Sequence, residues 1–289
     1  MPELPEVETI ARGVNERLRG DRIIEVWLGS HTQPFKNSPA EQAAGLEGRT
    51  ILEVRRVGKH IVCDLGARQK SAKSTKAESK KAESDKPAAQ WIVHLGMTGR
   101  LLVTTPEGPV APHTHARLTL ASGRELRFVD PRRFGRLEYR DLSHGEPFEG
   151  PGSEPLTIAP AEFAGLFRGR RLAIKAALLN QTLLHGVGNI YADESLFRAG
   201  IRPRRMAGRL KREELLRLHQ AIQEVLRHAI GLGGSSVSDY VDADGVRGFF
   251  QLEHRVYMRT GQPCLVCGTP IRRILLAGRG THFCPVCQR

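Results

Sequence analysis

The segments Cys264-Leu-Val-Cys267 and Cys284-Pro-Val-Cys287 decide the architecture at the end of the chain. Each Cys-x-x-Cys pair can wrap one tetrahedral metal ion, and the sixteen residues between the pairs suit a hairpin. Two disulfides are the alternative, but they conflict with an amino terminus that shows no secretory signal. With all four ligand positions filled by cysteine, the sequence predicts a zinc finger with one structural zinc ion.

Positive charge dominates this segment and the chain as a whole. Residues 254–289 contain six arginines and no acidic residue, and the 289-residue chain has a net charge of +13. This balance indicates a polyanionic partner. The basic residues are not gathered on one amphipathic helix, so nucleic acid is favoured over a membrane surface. Arg279, between two glycines, stands on the expected hairpin, where a simple surface turn is the alternative to a ligand contact.

Short apolar runs, separated by glycine and proline, precede the finger and predict an antiparallel β-sandwich. A leading helix with Val7, Ile10, Val14 and Leu18 on one face comes before them and stops at Gly20. The predicted strands cover residues 23–28, 50–54, 60–65, 91–95, 100–104, 116–120, 125–129 and 136–139. Cys63 falls in one of these strands, where it is expected to be a small core residue.

Helical patterns take over in the second half of the chain, so the sequence predicts a multidomain α+β fold. The predicted helices cover residues 160–167, 172–184, 190–199 and 211–230. The predicted domains are a β-sandwich over 1–148, a linker over 149–155, a helical domain over 156–253 and a zinc finger over 254–289. No apolar run approaches the length of a membrane span.

Residues 67–88 interrupt the strand pattern with a run of mostly Lys, Ser, Ala, Glu and Gln. A segment of this composition cannot bury enough apolar surface to offset the entropy of ordering it. The sequence therefore predicts a mobile hairpin insertion. Weak, non-specific attraction to nucleic acid is the alternative to a solvated loop with no role.

The amino terminus combines a potential nucleophile with acidic residues. Removal of Met1 would leave Pro2 as a secondary amine, which can attack an electrophilic carbon and form an iminium. Glu3 follows directly, and Glu6 and Glu8 come one turn later. A helix starting at this point explains Glu6 and Glu8 through the helix dipole, but it does not explain Pro2 and Glu3.

Three further motifs suggest contacts with a nucleic acid. The turn Gly186-Val-Gly188-Asn189 precedes a helix that Asn189 is expected to cap. This predicts a phosphate site supported by Lys175, Arg170 and Arg171. An ordinary helix–helix turn is the alternative for this motif. In Asp130-Pro-Arg132-Arg133-Phe134-Gly135, an exposed Phe134 can unstack a base step while Arg132 occupies the gap.

Other candidates carry a weaker signal by themselves. Met97, in His94-Leu-Gly-Met97-Thr-Gly, is a second residue that can fill a vacated stack, with core packing as the alternative. Lys59, at the head of a strand, and His113, just before another, are expected on their own to be ordinary surface groups.

Together these motifs resemble the bacterial formamidopyrimidine-DNA glycosylase family nearly end to end. The match comprises Pro-Glu-Leu-Pro-Glu-Val-Glu-Thr at the start, Lys59, His-Leu-Gly-Met-Thr-Gly, Asp-Pro-Arg-Arg-Phe-Gly, Gly-Val-Gly-Asn-Ile-Tyr-Ala-Asp-Glu and the four-cysteine finger. Leu4 and the Val-Glu-Thr after Glu6 resemble this branch rather than the endonuclease VIII branch, which acts mainly on oxidised pyrimidines. The insertion at 67–88 departs from the family pattern.

The resemblance implies a helix-two-turns-helix domain and a glycosylase with lyase activity on oxidised purines. Pro2 would attack the sugar's anomeric carbon, and Glu3 would protonate the ring oxygen to give a Schiff base. Lys59 would then assist β-elimination, and Arg279 would assist δ-elimination. The implied partner is double-stranded DNA that contains oxidised bases or abasic sites.

The resemblance also implies how such DNA is held. Met97, Arg132 and Phe134 would fill the void left by a flipped base. Four positions would bind DNA, mostly through its phosphates: His113, Arg132, Arg170 and Asn189. Glu6 would lie in the base pocket, under a mobile capping loop at about 235–250. A monomer in the bacterial cytoplasm, associated with the nucleoid, is expected.

Two other functions stay open from the sequence. A non-catalytic protein that binds damaged DNA would share this fold, although it has no need of Pro2, Glu3 and Lys59 together. A preference for pyrimidine lesions is the alternative within the family, since the capping loop is only loosely similar.

Overall fold

A computed structural model describes residues 1–68, 86–237 and 240–289, which form two compact units. The first unit comprises residues 1–2, 6–149 and 236–248, and the second comprises 3–5, 150–235 and 249–289. Each unit has its own hydrophobic core. Residues 236–248 belong to the first unit, whereas the bounds predicted from the sequence included them in the helical domain over 156–253. Most of the predicted insertion, residues 69–85, lies outside the described residues.

The first unit contains two four-stranded antiparallel sheets. Its strands are β1 (Ile23–Leu28), β2 (Ile51–Val57), β3 (His60–Leu65), β4 (Ala89–His94), β5 (Arg100–Thr104), β6 (Thr114–Leu120), β7 (Glu125–Val129) and β8 (Arg136–Asp141). One sheet has the order β1-β6-β7-β5 and the other β2-β3-β4-β8. The predicted strands are thus present, and Leu65 pairs with Ala89 where the insertion joins β3 to β4.

Apolar residues of both sheets share one core, as a β-sandwich requires. Trp91 of β4 and Phe128 of β7 are its largest fully buried side chains, and Cys63 packs in the same core. Helix α1 (Leu4–Leu18) adds its predicted apolar face through residues such as Val7 and Val14. The fold class expected for the first half of the chain is therefore confirmed.

Helix α2 (Pro39–Leu46) was not predicted from the sequence. Its start carries a clear local signal, because the Ser38 hydroxyl accepts a hydrogen bond from the Glu41 N–H and Pro39 occupies the first helical position. Only eight residues long, the helix has too few turns for apolar periodicity to show.

Four helices form the core of the second unit. They are α3 (Pro160–Leu166), α4 (Ile174–Leu178), α5 (Asn189–Arg198) and α6 (Arg212–Gly231). The helix predicted over residues 172–184 is wrong beyond Leu178. The side-chain carbonyl of Asn180 accepts hydrogen bonds from the N–H and hydroxyl of Thr182, which turns the chain away from helical geometry.

The carboxy-terminal hairpin consists of β9 (Arg272–Leu276) and β10 (Arg279–Phe283), paired antiparallel. Ala277 and Gly278 connect them with φ angles of +48° and +72°. Positive φ at both residues is typical of a type I′ turn. Among the described residues, no helix is long and apolar enough to cross a membrane.

Candidate active site and zinc finger

The carboxyl group of Glu3 lies at the amino-terminal end of α5. Its Oε1 accepts a hydrogen bond from the Ile190 N–H at 3.0 Å, and its Oε2 accepts one from the Tyr191 N–H at 3.4 Å. The first N–H groups of a helix have no partner within the helix, and the dipole favours negative charge there. The helix start predicted as an anion site is therefore held by a carboxyl group of the protein itself.

The glycines before α5 allow this close approach. A Cβ atom on Gly188 would lie 2.2 Å from Cδ of Glu3, so a larger residue would displace the Glu3 carboxyl group. Gly186 has a φ of +93°, and its carbonyl accepts the Leu4 N–H at 3.0 Å. The turn is thus built around residues 3 and 4. The prediction that Asn189 caps the helix is wrong, since Gly188 is the cap and Asn189 is the first helical residue.

Asn189 instead contacts the finger hairpin. Its side-chain amide donates a hydrogen bond to the carbonyl of Gly280 at 3.1 Å, and Lys175 Nζ donates to the same carbonyl at 3.0 Å. Lys175 also donates to the Thr281 hydroxyl at 2.9 Å. These bonds fix the backbone directly after Arg279, the residue that the resemblance assigns to δ-elimination.

A buried ion pair supports the same backbone from the other side. The Asp193 carboxylate lies 2.7 Å from Lys175 Nζ, and it accepts the His282 N–H at 2.8 Å. Lys175 is fully buried, so its ammonium group is used inside the protein. The expectation that it supports a phosphate contact does not agree with this burial.

Electrostatics link Lys175 to both predicted catalytic groups of the second unit. Burial lowers the pKa of Lys175, the negative charges of Asp193 and Glu3 raise it, and the positive charge of Arg279 lowers it further. Glu3 and Arg279 thus both lie within electrostatic range of one buried ammonium group. We call Glu3, Lys175, Asn189, Asp193 and Tyr257 the Glu3 cluster.

Tyr257 belongs to this cluster although the sequence did not single it out. Burial raises the pKa of Tyr257, a hydrogen bond with Asn189 lowers it, and the charges of Glu3 and Asp193 raise it again. Asp193 was also missed as a functional residue. The signal available from the sequence was its place in the motif Gly-Val-Gly-Asn-Ile-Tyr-Ala-Asp-Glu, which gave no role for it.

The four cysteines of the finger converge as predicted. All four Sγ atoms lie within 4.8 Å of one another, with Cys264 and Cys287 at 3.9 Å and Cys267 and Cys284 at 3.5 Å. Sulfur atoms 2.3 Å from a tetrahedral zinc ion would be separated by about 3.8 Å. The geometry therefore fits one zinc ion bound by four thiolates, a closed site of the structural kind.

In the first unit, Lys59 lies in the turn between β2 and β3, after Gly58. It is buried, which the sequence did not predict for an isolated lysine. Burial lowers the pKa of His94, and the positive charges of Lys59, Arg136 and Lys36 lower it further. Lys59 thus lies within electrostatic range of a histidine that favours its neutral form.

Two loops of the first unit bring the predicted void-filling residues together. A Cβ atom on Gly96 would lie 2.5 Å from the carbonyl carbon of Phe134, so the loops 95–98 and 130–135 touch. Met97 is 40% exposed and Phe134 is 45% exposed, and the Arg132 guanidinium lies 4.9 Å from the centre of the Phe134 ring. We call residues 95–98 and 130–135 the wedge loops. Core packing, the alternative for Met97, does not fit its exposure.

His113 lies beside the wedge loops. Its carbonyl accepts the Asp130 N–H at 3.0 Å, and its side chain is exposed. Arg170, in the second unit, is half-buried and donates from Nε to the Leu166 carbonyl at 2.5 Å.

Glu6 is buried in α1, next to the described part of the predicted capping loop. The Tyr240 hydroxyl donates to the backbone carbonyl of Glu6 at 3.4 Å, and the Val103 N–H donates to the Ala243 carbonyl at 3.0 Å. Burial raises the pKa of Tyr240, and the charge of Glu6 raises it further. Arg17 and Asp244 add an ion pair. Residues 240–248 are therefore anchored within the first unit, whereas 238–239 lie outside the described residues.

Family comparisons cover most of the chain. The formamidopyrimidine-DNA glycosylase N-terminal domain matches residues 1–137, and the H2TH domain of the same enzymes matches residues 150–241. The zinc finger found in FPG and IleRS matches residues 261–289. The chain belongs to the formamidopyrimidine-DNA glycosylase family. The resemblance drawn from the motifs is thereby confirmed.

Individual family members are similar over their full length. The formamidopyrimidine-DNA glycosylase of Solibacter usitatus is 45% identical, with 100% of each chain covered. The crystal structure of the MutM (FPG) protein of Thermus thermophilus matches with a TM-score of 0.81 at 41% identity, covering 99% of this chain and 98% of the other. A variant of the Lactococcus lactis FPG, bound to DNA containing Fapy-dG, matches with a TM-score of 0.86 at 33% identity and full coverage of both chains.

Family membership also accounts for the finger. The matched zinc-finger domain and the four converging cysteines together confirm one structural zinc site in this glycosylase-family chain. The residues that hold the zinc are Cys264, Cys267, Cys284 and Cys287. They include no open ligand position, so zinc would stabilise the finger and take no part in bond cleavage.

Proposed function

We propose that this chain is a DNA glycosylase and abasic-site lyase that removes oxidised purines during base excision repair. The observation that carries the proposal is the position of Glu3, which follows Pro2 directly and whose carboxyl group is oriented by the first N–H groups of α5. Solved family members bound to DNA containing Fapy-dG and a carbocyclic 8-oxo-G support the substrate class. We propose that the enzyme acts in the bacterial cytoplasm, on the DNA of the nucleoid.

Excision begins at the amino terminus once Met1 is removed. The Pro2 nitrogen attacks the anomeric carbon of the damaged nucleotide, and the bond to the base breaks as the base leaves. Glu3 donates a proton to the ring oxygen, which opens the sugar and leaves an iminium between Pro2 and the sugar carbon. A carboxyl group already held by two N–H groups needs little reorganisation to do this.

Strand cleavage follows from the iminium. The positive nitrogen acidifies the neighbouring C–H bond, so loss of that proton expels the 3′ phosphate by β-elimination. A second elimination expels the 5′ phosphate. Lys59 assists the first elimination and Arg279 the second, as the family pattern implies. The hydrogen bonds of Lys175 and Asn189 to the Gly280 carbonyl support this role of Arg279, because they restrict the hairpin next to it.

Binding of the duplex rests on phosphate contacts and on the wedge loops. His113, Arg170 and Asn189 bind phosphates, and the basic finger adds further contacts. Phe134 and Met97 enter the stack while the damaged base is flipped out, and Arg132 occupies the space that the base leaves. The exposure of both apolar side chains on loops that touch, with the Arg132 guanidinium beside the Phe134 ring, supports this role, because apolar wedges of this kind unstack base steps.

Glu6 completes the proposal as a group of the base pocket. The Tyr240 hydroxyl donates to the backbone carbonyl of Glu6, which supports a role for the loop at about 235–250 as a cover over the flipped base. The proposed enzyme acts as a monomer.

Borohydride trapping tests the proposal directly. The mature protein is incubated with a duplex containing 8-oxoguanine and sodium borohydride, and intact mass spectrometry then locates the reduced adduct. We expect one covalent adduct on Pro2 in protein that has lost Met1. Protein prepared with Met1 retained is the matched control, and it should form none because it has no free Pro2 amine.

The same assay separates the alternatives. A protein without Met1 that binds the lesion duplex but forms no adduct would be a non-catalytic binder. Competition between 8-oxoguanine and thymine glycol duplexes reports the lesion preference. Faster excision of thymine glycol would replace oxidised purines by oxidised pyrimidines as the substrate class.

A further inference from the structure

The carboxylate of Asp130, directly after β7, is fully buried at the base of the wedge loops. A buried carboxylate is costly unless its oxygens are hydrogen-bonded, so its partners indicate what it is for. None of the catalytic steps described above uses it. Asp130 begins one wedge loop and contacts the other, which makes it a candidate for organising both.

The two oxygens of Asp130 bind both wedge loops. Oδ1 accepts the Thr98 hydroxyl at 2.6 Å and the Arg132 N–H at 3.3 Å, while Oδ2 accepts the Gly135 N–H at 2.7 Å. Thr98 directly follows Met97, and residues 132 and 135 come before and after Phe134 in the chain. One carboxylate thus connects the backbone that carries all three void-filling side chains.

The backbone around Asp130 is held in an uncommon conformation. Its own N–H donates to the His113 carbonyl at 3.0 Å, and its carbonyl lies 3.0 Å from Nε2 of His115. His113 and Arg133 have φ angles of +65° and +55°, the left-handed region that residues other than glycine seldom adopt. Such strain persists only where surrounding contacts determine the conformation, and it clusters at functional sites.

We propose that Asp130 is a positioning residue for base flipping, which acts by holding the two wedge loops as one rigid unit. Met97, Arg132 and Phe134 then enter the duplex together rather than independently. The inference rests on the proposed function of those three residues. It predicts that Asp130 matters for opening the base pair and much less for breaking the bond to the base.

A role in stability alone would give a different result. A residue that only stabilises the fold affects every substrate equally once the variant is folded. A residue that positions the wedge matters most where a base pair must be broken. The comparison of two substrates with the same lesion therefore separates the two roles.

The experiment measures single-turnover excision of 8-oxoguanine by Asp130→Asn on two duplexes. The lesion lies opposite cytosine in one duplex and opposite an abasic-site analogue in the other, where no base pair has to be broken. We expect the rate on the paired duplex to fall by about tenfold or more, because loosely held groups lose positioning, and the rate on the unpaired one to fall by less than about threefold. A 2-aminopurine beside the lesion should show slower unstacking in stopped-flow fluorescence.

Three companion variants keep the result decisive. Thr98→Val removes one donor to the carboxylate and should show the same selective loss, which covers the case that Asp130→Asn does not fold. Thr119→Val on β6, outside the wedge loops, is the matched control and should leave both rates unchanged. Phe134→Ala should lose activity selectively on the paired duplex.

The outcomes distinguish a failure of the proposed wedge role from a failure of the positioning role of Asp130. If Phe134→Ala shows no dependence on pairing, the wedge role in the proposed function is wrong. If Phe134→Ala shows it but folded Asp130→Asn or Thr98→Val loses activity equally on both duplexes, or on neither, the positioning role of Asp130 is wrong.

Discussion

The Glu3 cluster and the wedge loops are both built on buried carboxyl groups, but they present opposite chemistry. In the Glu3 cluster, the acidic groups of Glu3 and Asp193 are surrounded by N–H donors and by the ammonium of Lys175. In the wedge loops, the buried Asp130 supports exposed apolar side chains. A group that transfers a proton must be held in a fixed orientation, whereas a wedge needs an apolar tip on a rigid base. Similar hydrogen-bonding arrangements thus serve distinct steps.

The greatest loss of activity is expected from removing the acid of the Glu3 cluster while the wedge loops are left unchanged. Glu3→Gln keeps the shape of the side chain but removes the acid, so excision should fall by about 10³-fold, in line with the loss of a general acid. Binding of lesion DNA should persist, because the wedge loops are unchanged. Single-turnover kinetics and fluorescence anisotropy measure the two quantities. Excision at the parent rate would remove Glu3 from the chemistry.

A glycine substitution tests how closely the turn before α5 fits Glu3. In Gly188→Ala the new Cβ atom would lie 2.2 Å from Cδ of Glu3, so the carboxyl group must move. A shift of this kind costs about 10²-fold in rate when a catalytic group is misplaced by about 1 Å.

Gly165→Ala in α3 is the matched control for that substitution. Its Cβ atom would meet nothing within 4 Å, so it should leave the rate unchanged and stabilise the helix by roughly 0.5–1 kcal/mol. An unchanged excision rate in Gly188→Ala would contradict the close fit between the turn and Glu3.

Zinc removal should weaken DNA binding even though it leaves the wedge loops intact. The finger is held by four cysteines and a small apolar core, so without zinc the hairpin that carries Arg279 loses its support. We expect affinity for lesion DNA to fall by about tenfold or more, since several phosphate contacts are lost. Anisotropy titrations before and after chelation, with zinc quantified, measure this. Unchanged affinity after verified demetallation would rule out a binding role for the finger.

The smallest effect concerns a buried histidine in the second unit. Burial lowers the pKa of His254 to about 4, although a backbone hydrogen bond at Tyr257 raises it and the charge of His282 lowers it again. An unfolded chain with an ordinary histidine pKa of about 6.5 binds the proton more readily. Stability should therefore fall as the pH decreases from about 6.5 to about 4, with a loss of about 2 kcal/mol between pH 7 and pH 5.

Urea unfolding at pH 7 and at pH 5 checks this expectation. His254→Gln should lose about 2 kcal/mol less than the parent over the same pH range, because glutamine does not titrate there. An identical pH dependence in the two proteins would mean that other groups control acid sensitivity.

Local patterns predicted much of the fold. The strands β3, β5 and β7 have the bounds expected from their apolar runs, because such runs flanked by glycine or proline leave few alternatives. The paired cysteines likewise placed all four zinc ligands. The end of α4 was not predicted, because the side-chain hydrogen bonds of Asn180 decide it. Helix α2 was not predicted, because eight residues are too few for apolar periodicity to show.

The candidate site was predicted unevenly. Pro2, Glu3 and Phe134 stood out because their chemistry is unusual for their place in the sequence. Asp130 and Asp193 did not, because an acidic residue gives no local sign of being buried. The prediction for Lys175 was misleading, because a lysine near a glycine turn suggests a phosphate contact. Its actual partners are Asp193 and the finger backbone.

The order of motifs, the family, the fold class and the zinc ligands depend on residue type and spacing along the chain, so the sequence was enough to predict them. Which groups meet was visible only in the folded chain. Folding placed Glu3 on the N–H groups of α5, almost two hundred residues away, and joined the two wedge loops through Asp130. The physical reason is that burial and hydrogen bonding over long sequence separations follow from packing, which no local pattern encodes.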